Sequence, residues 1–193
     1  RISKKISSSH TDLIKKEFHR FSIDQDVINL LNKKKYNPNL TLDDNFQKIV
    51  IEVGFGNGDY LIDNAKKNPN ILYIGSEVYI NGIARVLKSI ITLHLKNIKL
   101  CGLNFLYLLR SLKLKTIDEI YIINPDPWPK KRHNKRRLLN YENLIAMNSL
   151  LKKNGKIFIS TDSKDYFDEI KICVNNDKYF DKAFFGCMSR SDA

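Results

Sequence analysis

The segment Ile49-Val50-Ile51-Glu52-Val53-Gly54-Phe55-Gly56-Asn57-Gly58-Asp59 decides the fold. Four β-branched residues around one acid form a short buried strand, which runs without a linker into a turn with glycine at every second position. Glycine there gives a tight turn and lets a ligand lie against bare backbone. Residues 59–67 continue as a helix, ended near Asn68-Pro69, and a second strand at 71–76 stops at Glu77. The pattern repeats with a helix over 82–96, a strand at 98–101, a helix near 105–112 and a strand at 119–123. After a basic run come a helix at 141–151, a turn at Lys153-Asn154-Gly155, a strand at 156–161 and a helix at 166–175. Strands alternating with helices at this spacing predict an α/β, Rossmann-like architecture, a mostly parallel sheet with helices on both faces. A last strand is expected near 182–187, which would leave the C-terminal hairpin incomplete.

Residues 1–46 lack a clean strand signal and hold Ser7-Ser8-Ser9 and Lys33-Lys34-Lys35. They read as a basic N-terminal arm and lead-in, partly disordered, with a short helix around 12–21. The principal domain spans 47–193. A chain of 193 residues is large enough for one domain that buries roughly 70% of its unfolded surface. Its 33 Lys and Arg against 21 Asp and Glu leave a net charge of +12, which makes nucleic acid the first partner to consider. Cys101, Cys173 and Cys187 form no C-x-x-C pair and no metal-like spacing with the histidines, as expected of thiols in a reducing compartment. No apolar run approaches the ~18 residues of a membrane span. A cytoplasmic protein without metal, monomeric or homodimeric, is expected. The chain opens at Arg1 rather than Met, so residues preceding it are expected in the natural protein.

The glycine turn narrows the cofactor. A dinucleotide fingerprint would need a third glycine at 59, and that position is Asp59. An acid at the helix start would repel a pyrophosphate. The cofactor should then carry a ribose, no phosphate and a positive charge, and S-adenosylmethionine fits. Glu52 would help with its cationic end, over a floor of Gly54, Gly56 and Gly58. Glu77 would accept both ribose hydroxyls, one strand–helix–strand unit further on.

The strand at 119–123 ends in Asn124-Pro125-Asp126-Pro127-Trp128-Pro129, followed by Lys130-Lys131-Arg132-His133-Asn134-Lys135-Arg136-Arg137. Three prolines spaced by two cannot continue a ladder, so they hold Asp126 and Trp128 on a stiff turn. Asp126 either caps its own backbone or faces a substrate, and the flanking prolines favour the second. Facing a guanine, a fixed carboxylate would orient the base and stabilise the positive ring that methylation at N7 creates. Trp128 either stacks on a base or packs under the loop. Lys130, Arg132, Arg136 and Arg137 would meet phosphates, each contact adding roughly −0.7 to −0.9 to the salt slope of binding. His133 reads as a further phosphate donor.

These residues resemble the bacterial tRNA (guanine-N7-)-methyltransferases, which methylate a variable-loop guanosine with S-adenosylmethionine. The resemblance runs from about Ile49 to Tyr166 and rests on Glu-Val-Gly-Phe-Gly-Asn-Gly at 52–58, Ile-Gly-Ser-Glu-Val at 74–78, Pro-Asp-Pro-Trp-Pro-Lys-Lys-Arg-His at 125–133, Lys-Arg-Arg at 135–137 and Ser-Thr-Asp at 160–162. It implies a catalytic Asp126 that also borders the cofactor, with Glu52, Glu77, Val78, Asn104 and Phe105 at the cofactor site. Lys130 and Asp162 would contact tRNA, although Asp162 could equally be a helix N-cap. Asn104 stands where the family usually has aspartate, and its side-chain oxygen can still accept a bond from the adenine amine. The family's Thr-x-x-Glu segment near the C-terminus has no equivalent before Ala193. Two other readings stay open: an exocyclic-amine methyltransferase, from Asn124-Pro125, and a non-catalytic RNA-binding module of the same fold.

Overall fold

The computed structural model describes residues 6–33, 39, 40, 42, 45–175 and 180. Five parallel strands, β1 (Lys48–Val53), β2 (Ile71–Ser76), β3 (Ile98–Cys101), β4 (Ile117–Ile123) and β5 (Leu151–Ser160), form one sheet in the order β3-β2-β1-β4-β5. The chain moves outward from β1 to β3, then returns to the other side of β1 for β4. The order therefore reverses between β1 and β4, and a crevice opens there beyond the carboxyl ends of the strands. The α/β prediction holds for every strand it named among the described residues. The strand expected at 182–187 lies outside them, as does Cys187.

Alternation along β1 sorts the core into two layers. Ile49, Ile51 and Val53 point to one face, with Leu72, Ile74, Ile120 and Ile122. That layer is closed by α2 (Asp24–Leu31), α5 (Phe105–Ser111), α6 (Tyr141–Leu150) and α7 (Lys164–Asn175). Val50 and Tyr73 point to the other face, with Ile98 and Leu100, beneath α3 (Asp59–Lys67) and α4 (Ile80–Thr92). Glu52 pairs in register with Gly75 and Tyr121, so it rises from the second face at its upper rim.

The N-terminal region is more structured than an arm. A helix, α1 (Ser8–Phe21), is capped by Ser7 and sets Ile14, Phe18 and Phe21 against the second layer. The α2 helix buries Val27 and Leu30 in the first. Between them Ile23 N donates to Leu100 O at 2.9 Å, so the chain folds over the β3 edge and leaves that strand less open to foreign pairing. A helix expected at 12–21 is thus longer, and α2 is additional.

Another difference lies in β5. The turn expected at Lys153-Asn154-Gly155 occurs inside the strand as a bulge. Ile117 pairs with Leu151 and Glu119 with Lys156, and Asn154 takes φ +70° to make the excursion. Pairing resumes at Lys156, and Asp118 at the bulge is held by both neighbouring strands, its Oδ2 accepting from Ile49 N and Lys152 Nζ, both at 2.8 Å.

Candidate functional site

Every strand among the described residues is parallel, so the ends of β1, β2, β3, β4 and β5 deliver their loops to one edge of the sheet. Glu52 stands in the last residues of β1, and Gly54, Gly56 and Gly58, Glu77 with Val78, Asn104 with Phe105, the Asp126 turn and Asp162 all follow those strand ends.

The three glycines have φ of +71°, +57° and +78°, the left-handed region that side chains rarely adopt. A Cβ built at Gly54 or Gly56 would meet nothing within 4 Å, whereas one at Gly58 would lie 2.0 Å from Val86 Cγ2. Two glycines therefore form an open floor and the third accommodates α4. Gly82, in the first turn of that helix, completes the arrangement. Its missing Cβ would fall 1.9 Å from Gly56 O, so backbone presses directly on backbone. Sequence reading took Gly82 only as the start of a helix. The available signal was a glycine inside a helical pattern, which costs stability unless something must come close.

Glu77 braces this loop. Its Oε2 accepts from Gly56 N at 2.8 Å, while Oε1 accepts from Val78 N at 2.7 Å and Tyr79 N at 2.8 Å. Three of about four acceptor sites of a carboxylate are thus taken by backbone amides. Val78 is 64% exposed beside it. Asn104 N-caps α5, its Oδ1 accepting from Leu106 N at 2.9 Å, and Phe105 is buried behind it. Asp59 stands at the start of α3, exposed, with its Oδ1 2.6 Å from Arg85 Nη2.

Glu52 is the unusual group. It is buried, and its Oε2 has no hydrogen-bond partner. Loss of hydration, and then the charge of nearby Glu77, push its carboxyl up to about 8 from an ordinary value of 4.5. Such an orphaned acid next to a bare glycine floor suits a cationic ligand group, whose arrival would let it ionise. In the ligand-free protein the sign follows from the raised value. Folded Glu52 keeps a proton that the unfolded chain releases above 4.5, so stability declines as pH rises from 4.5 to 8. The slope should reach about 1.4 kcal/mol per pH unit at most. Urea melts between pH 5 and 8 should show a decline that Glu52→Gln removes, and equal slopes in both proteins would refute the assignment.

Across the reversal point, β4 ends at Asn124, whose N–H still donates to Ser160 O at 2.9 Å while its φ is +48°. Asparagine tolerates that conformation better than most residues, which gives Asn124 a backbone role. Asp126 is exposed and forms no hydrogen bond or ion pair among the described residues. It does not cap its own turn. Trp128 also has positive φ, +45°. The guanidinium of Arg136 lies 4.9 Å over its ring centroid and the His133 ring meets it edge-on at 5.8 Å. Its indole packs within the loop on that side.

The basic run folds as a short 3-10 helix, Lys131–Arg136. Lys130, Lys131, Arg132, Lys135 and Arg136 are exposed and His133 half-buried. Arg137 corrects the reading of the run as phosphate contacts, because it is 3% exposed and turns inward. Asp162 is exposed, and Ser163 takes the N-cap role instead, its Oγ accepting from Tyr166 N at 3.4 Å. That leaves Asp162 available at the edge.

Residues 46–183 match the model of a methyltransferase family, Methyltransf_4. A bifunctional methyltransferase of Rickettsia felis is 36% identical over 93% of this chain and 32% of its own length. A tRNA (guanine-N(7)-)-methyltransferase of Wolbachia pipientis wMel is 39% identical over 64% of this chain and 56% of its own. The chain thus spans between a third and somewhat over half of these relatives. Among solved structures, a precorrin-6y C5,15-methyltransferase from Geobacter metallireducens GS-15 superposes with a TM-score of 0.54. It covers 67% of this chain and 62% of that one at 16% identity, a likeness of fold alone. No helix among the described residues is long and apolar enough to cross a membrane.

Proposed function

The chain belongs to the Methyltransf_4 family of methyltransferases, and from that premise we propose that it moves a methyl group from S-adenosylmethionine to N7 of a guanosine in tRNA. The observation that carries the reading is that a buried, cation-seeking Glu52 and an exposed, proline-held Asp126 stand at the carboxyl ends of the two strands that flank the reversal of strand order. The name of the Wolbachia relative supports tRNA and N7.

In this reading Gly54 and Gly56 form the floor under the cofactor. Glu52 faces its cationic end, and Glu77 holds the floor in shape while offering its one remaining acceptor site to a ribose hydroxyl. Asn104 and Phe105, with Val78, border the adenine. When bound, S-adenosylmethionine would supply an electrophilic methyl carbon and leave as the neutral thioether, and guanine N7, with its free lone pair, would need no base to accept the methyl group. Asp126 accepts from the guanine N–H edge and stabilises the positive charge that develops on the ring. The exposed cations Lys130, Arg132 and Arg136, with His133, meet the tRNA backbone, and Asp162 approaches the substrate from the end of β5. Residues 1–46 act as a basic lead-in whose helices α1 and α2 pack onto the core of the 47–193 methyltransferase domain.

The test is calorimetric titration of S-adenosylmethionine followed by nucleoside analysis of unmodified tRNA after incubation. Binding with N7-methylguanosine is the expected result. A methyl group found on an exocyclic nitrogen, or tight tRNA binding without cofactor binding, would overturn the proposal.

A further inference from the structure

Arg137 is the most buried cation of the basic run, and its guanidinium meets both the proline turn and α7. Its Nε donates to Pro127 O at 2.8 Å, directly after Asp126. The other side of its fork reaches α7, where Nη2 is 2.6 Å from Asp165 Oδ2 and Nη1 2.6 Å from Glu169 Oε2. Its guanidinium lies 4.9 Å over the ring of Tyr166, a fully buried residue whose hydroxyl accepts from Leu139 N at 2.8 Å. A planar fork with several fixed donors can join three groups at set angles, which an ammonium cannot.

Those contacts connect two loops that, among the described residues, no backbone pairing holds together beyond Asn124 and Ser160. One carries Asp126 on the proline turn. The other carries Asp162, just before α7. The turn needs support, because Trp128 is held at a φ of +45°, a conformation that persists only where its surroundings enforce it. Pro125, Pro127 and Pro129 stiffen the turn internally, but they do not orient it against the sheet.

We infer that Arg137 is a positioning residue, a clamp that fixes the Asp126 turn against α7 and so sets the spacing of the two acids that face the substrate. The inference rests on the proposed methyl transfer for its kinetic consequence, but the clamp itself has a readout that does not. Trp128 is the single tryptophan of the chain and stands two residues from Asp126, so its fluorescence reports on the turn alone.

The experiment compares Arg137→Met and Arg137→Lys with the unsubstituted protein by acrylamide quenching of Trp128, by calorimetry with S-adenosylmethionine, by the salt dependence of tRNA binding and by kcat at saturating tRNA. Expected are about twofold stronger quenching, unchanged cofactor affinity, an unchanged salt slope, and kcat lower by about 10²-fold, the usual consequence of misplacing a reacting group by roughly an ångström. If Arg137→Met does not fold, Asp165→Asn removes an exposed partner of the clamp instead and should shift quenching and kcat in the same directions by smaller factors. Unchanged quenching in a folded variant overturns the clamp. So does a salt slope shallower by about one phosphate contact with kcat retained, which would make Arg137 a phosphate ligand. An unsubstituted protein that forms no N7-methylguanosine would refute the functional proposal while the quenching result still decides the clamp.

Discussion

Asp126→Ala should lower kcat for tRNA methylation by about 10²- to 10³-fold, the range seen when one preorganised group facing developing charge is removed. Affinity for S-adenosylmethionine should change far less. The expectation follows from where the carboxylate stands. Asp126 is exposed and has no intramolecular partner among the described residues, so its removal strips nothing from the fold. Pro125 and Pro127 on either side, and the bond from Arg137 to Pro127 O, hold it in one place. An acid so fixed contributes without reorganising when the guanine ring becomes cationic. Asp126→Asn should recover part of the loss, since an amide oxygen can accept the same hydrogen bond without the charge. Single-turnover methylation separates this from slow product release. A variant that methylates at the unsubstituted rate would leave Asp126 as a turn residue and remove the chemical core of the proposal.

The second large effect comes from a residue with no polar atoms in its side chain. Gly82→Ala would drive a methyl group to 1.9 Å from Gly56 O and 3.0 Å from Gly56 C. The obstacle is backbone rather than the flexible end of a side chain, so either the glycine loop or α4 must retreat. Retreat of the loop pulls Gly56 N from Glu77 Oε2 and reshapes the floor. Overpacking of this kind costs about 1–3 kcal/mol of stability. Cofactor affinity should fall by about 10²-fold through misplacement. Ile80→Ala, at a position 43% exposed on the same helix, provides the comparison and should leave affinity nearly unchanged. Equal affinities for the two variants would show that the loop tolerates displacement and does not shape the cofactor site.

Both effects bear on what could be read before the fold was known. The glycine turn was legible because its requirement is local. Alternate glycines after a β-branched strand have few other uses, and the structure gives all three positive φ. The proline turn was legible for the same reason. Each proline restricts its own φ and denies the ladder a donor, whatever lies around it.

Other features depended on neighbours distant in the chain. The α2 helix, Asp24–Leu31, sets Val27, Leu30 and Leu31 at helical spacing, but eight residues are too few to hold a helix alone, and it is fixed because Val27 and Leu30 find the first core layer. The Lys153-Asn154-Gly155 turn carries correct turn chemistry, but Leu151 pairs with Ile117 before it, which places the turn inside β5 as a bulge. Glu77 offered the composition of a ribose acceptor, and only the folded loop showed that three backbone amides already hold it.

The basic run marks the boundary most clearly. As a string, Lys130 to Arg137 is one block of charge, and every member has the same claim on a phosphate. In the fold, five cations stay exposed while Arg137 is drawn under the proline turn onto Tyr166, Asp165 and Glu169. Strand–helix alternation, the glycine floor, the stiff acid-bearing turn and the density of positive charge were legible in residue order, because those follow from backbone stereochemistry, short-range periodicity and composition. Packing in three dimensions settled the strand order, which acid lost its hydration, which glycine admits a helix and which arginine faces inward. Burial and ion pairing are properties of groups brought together from separate elements of the chain, and no local pattern encodes their distances.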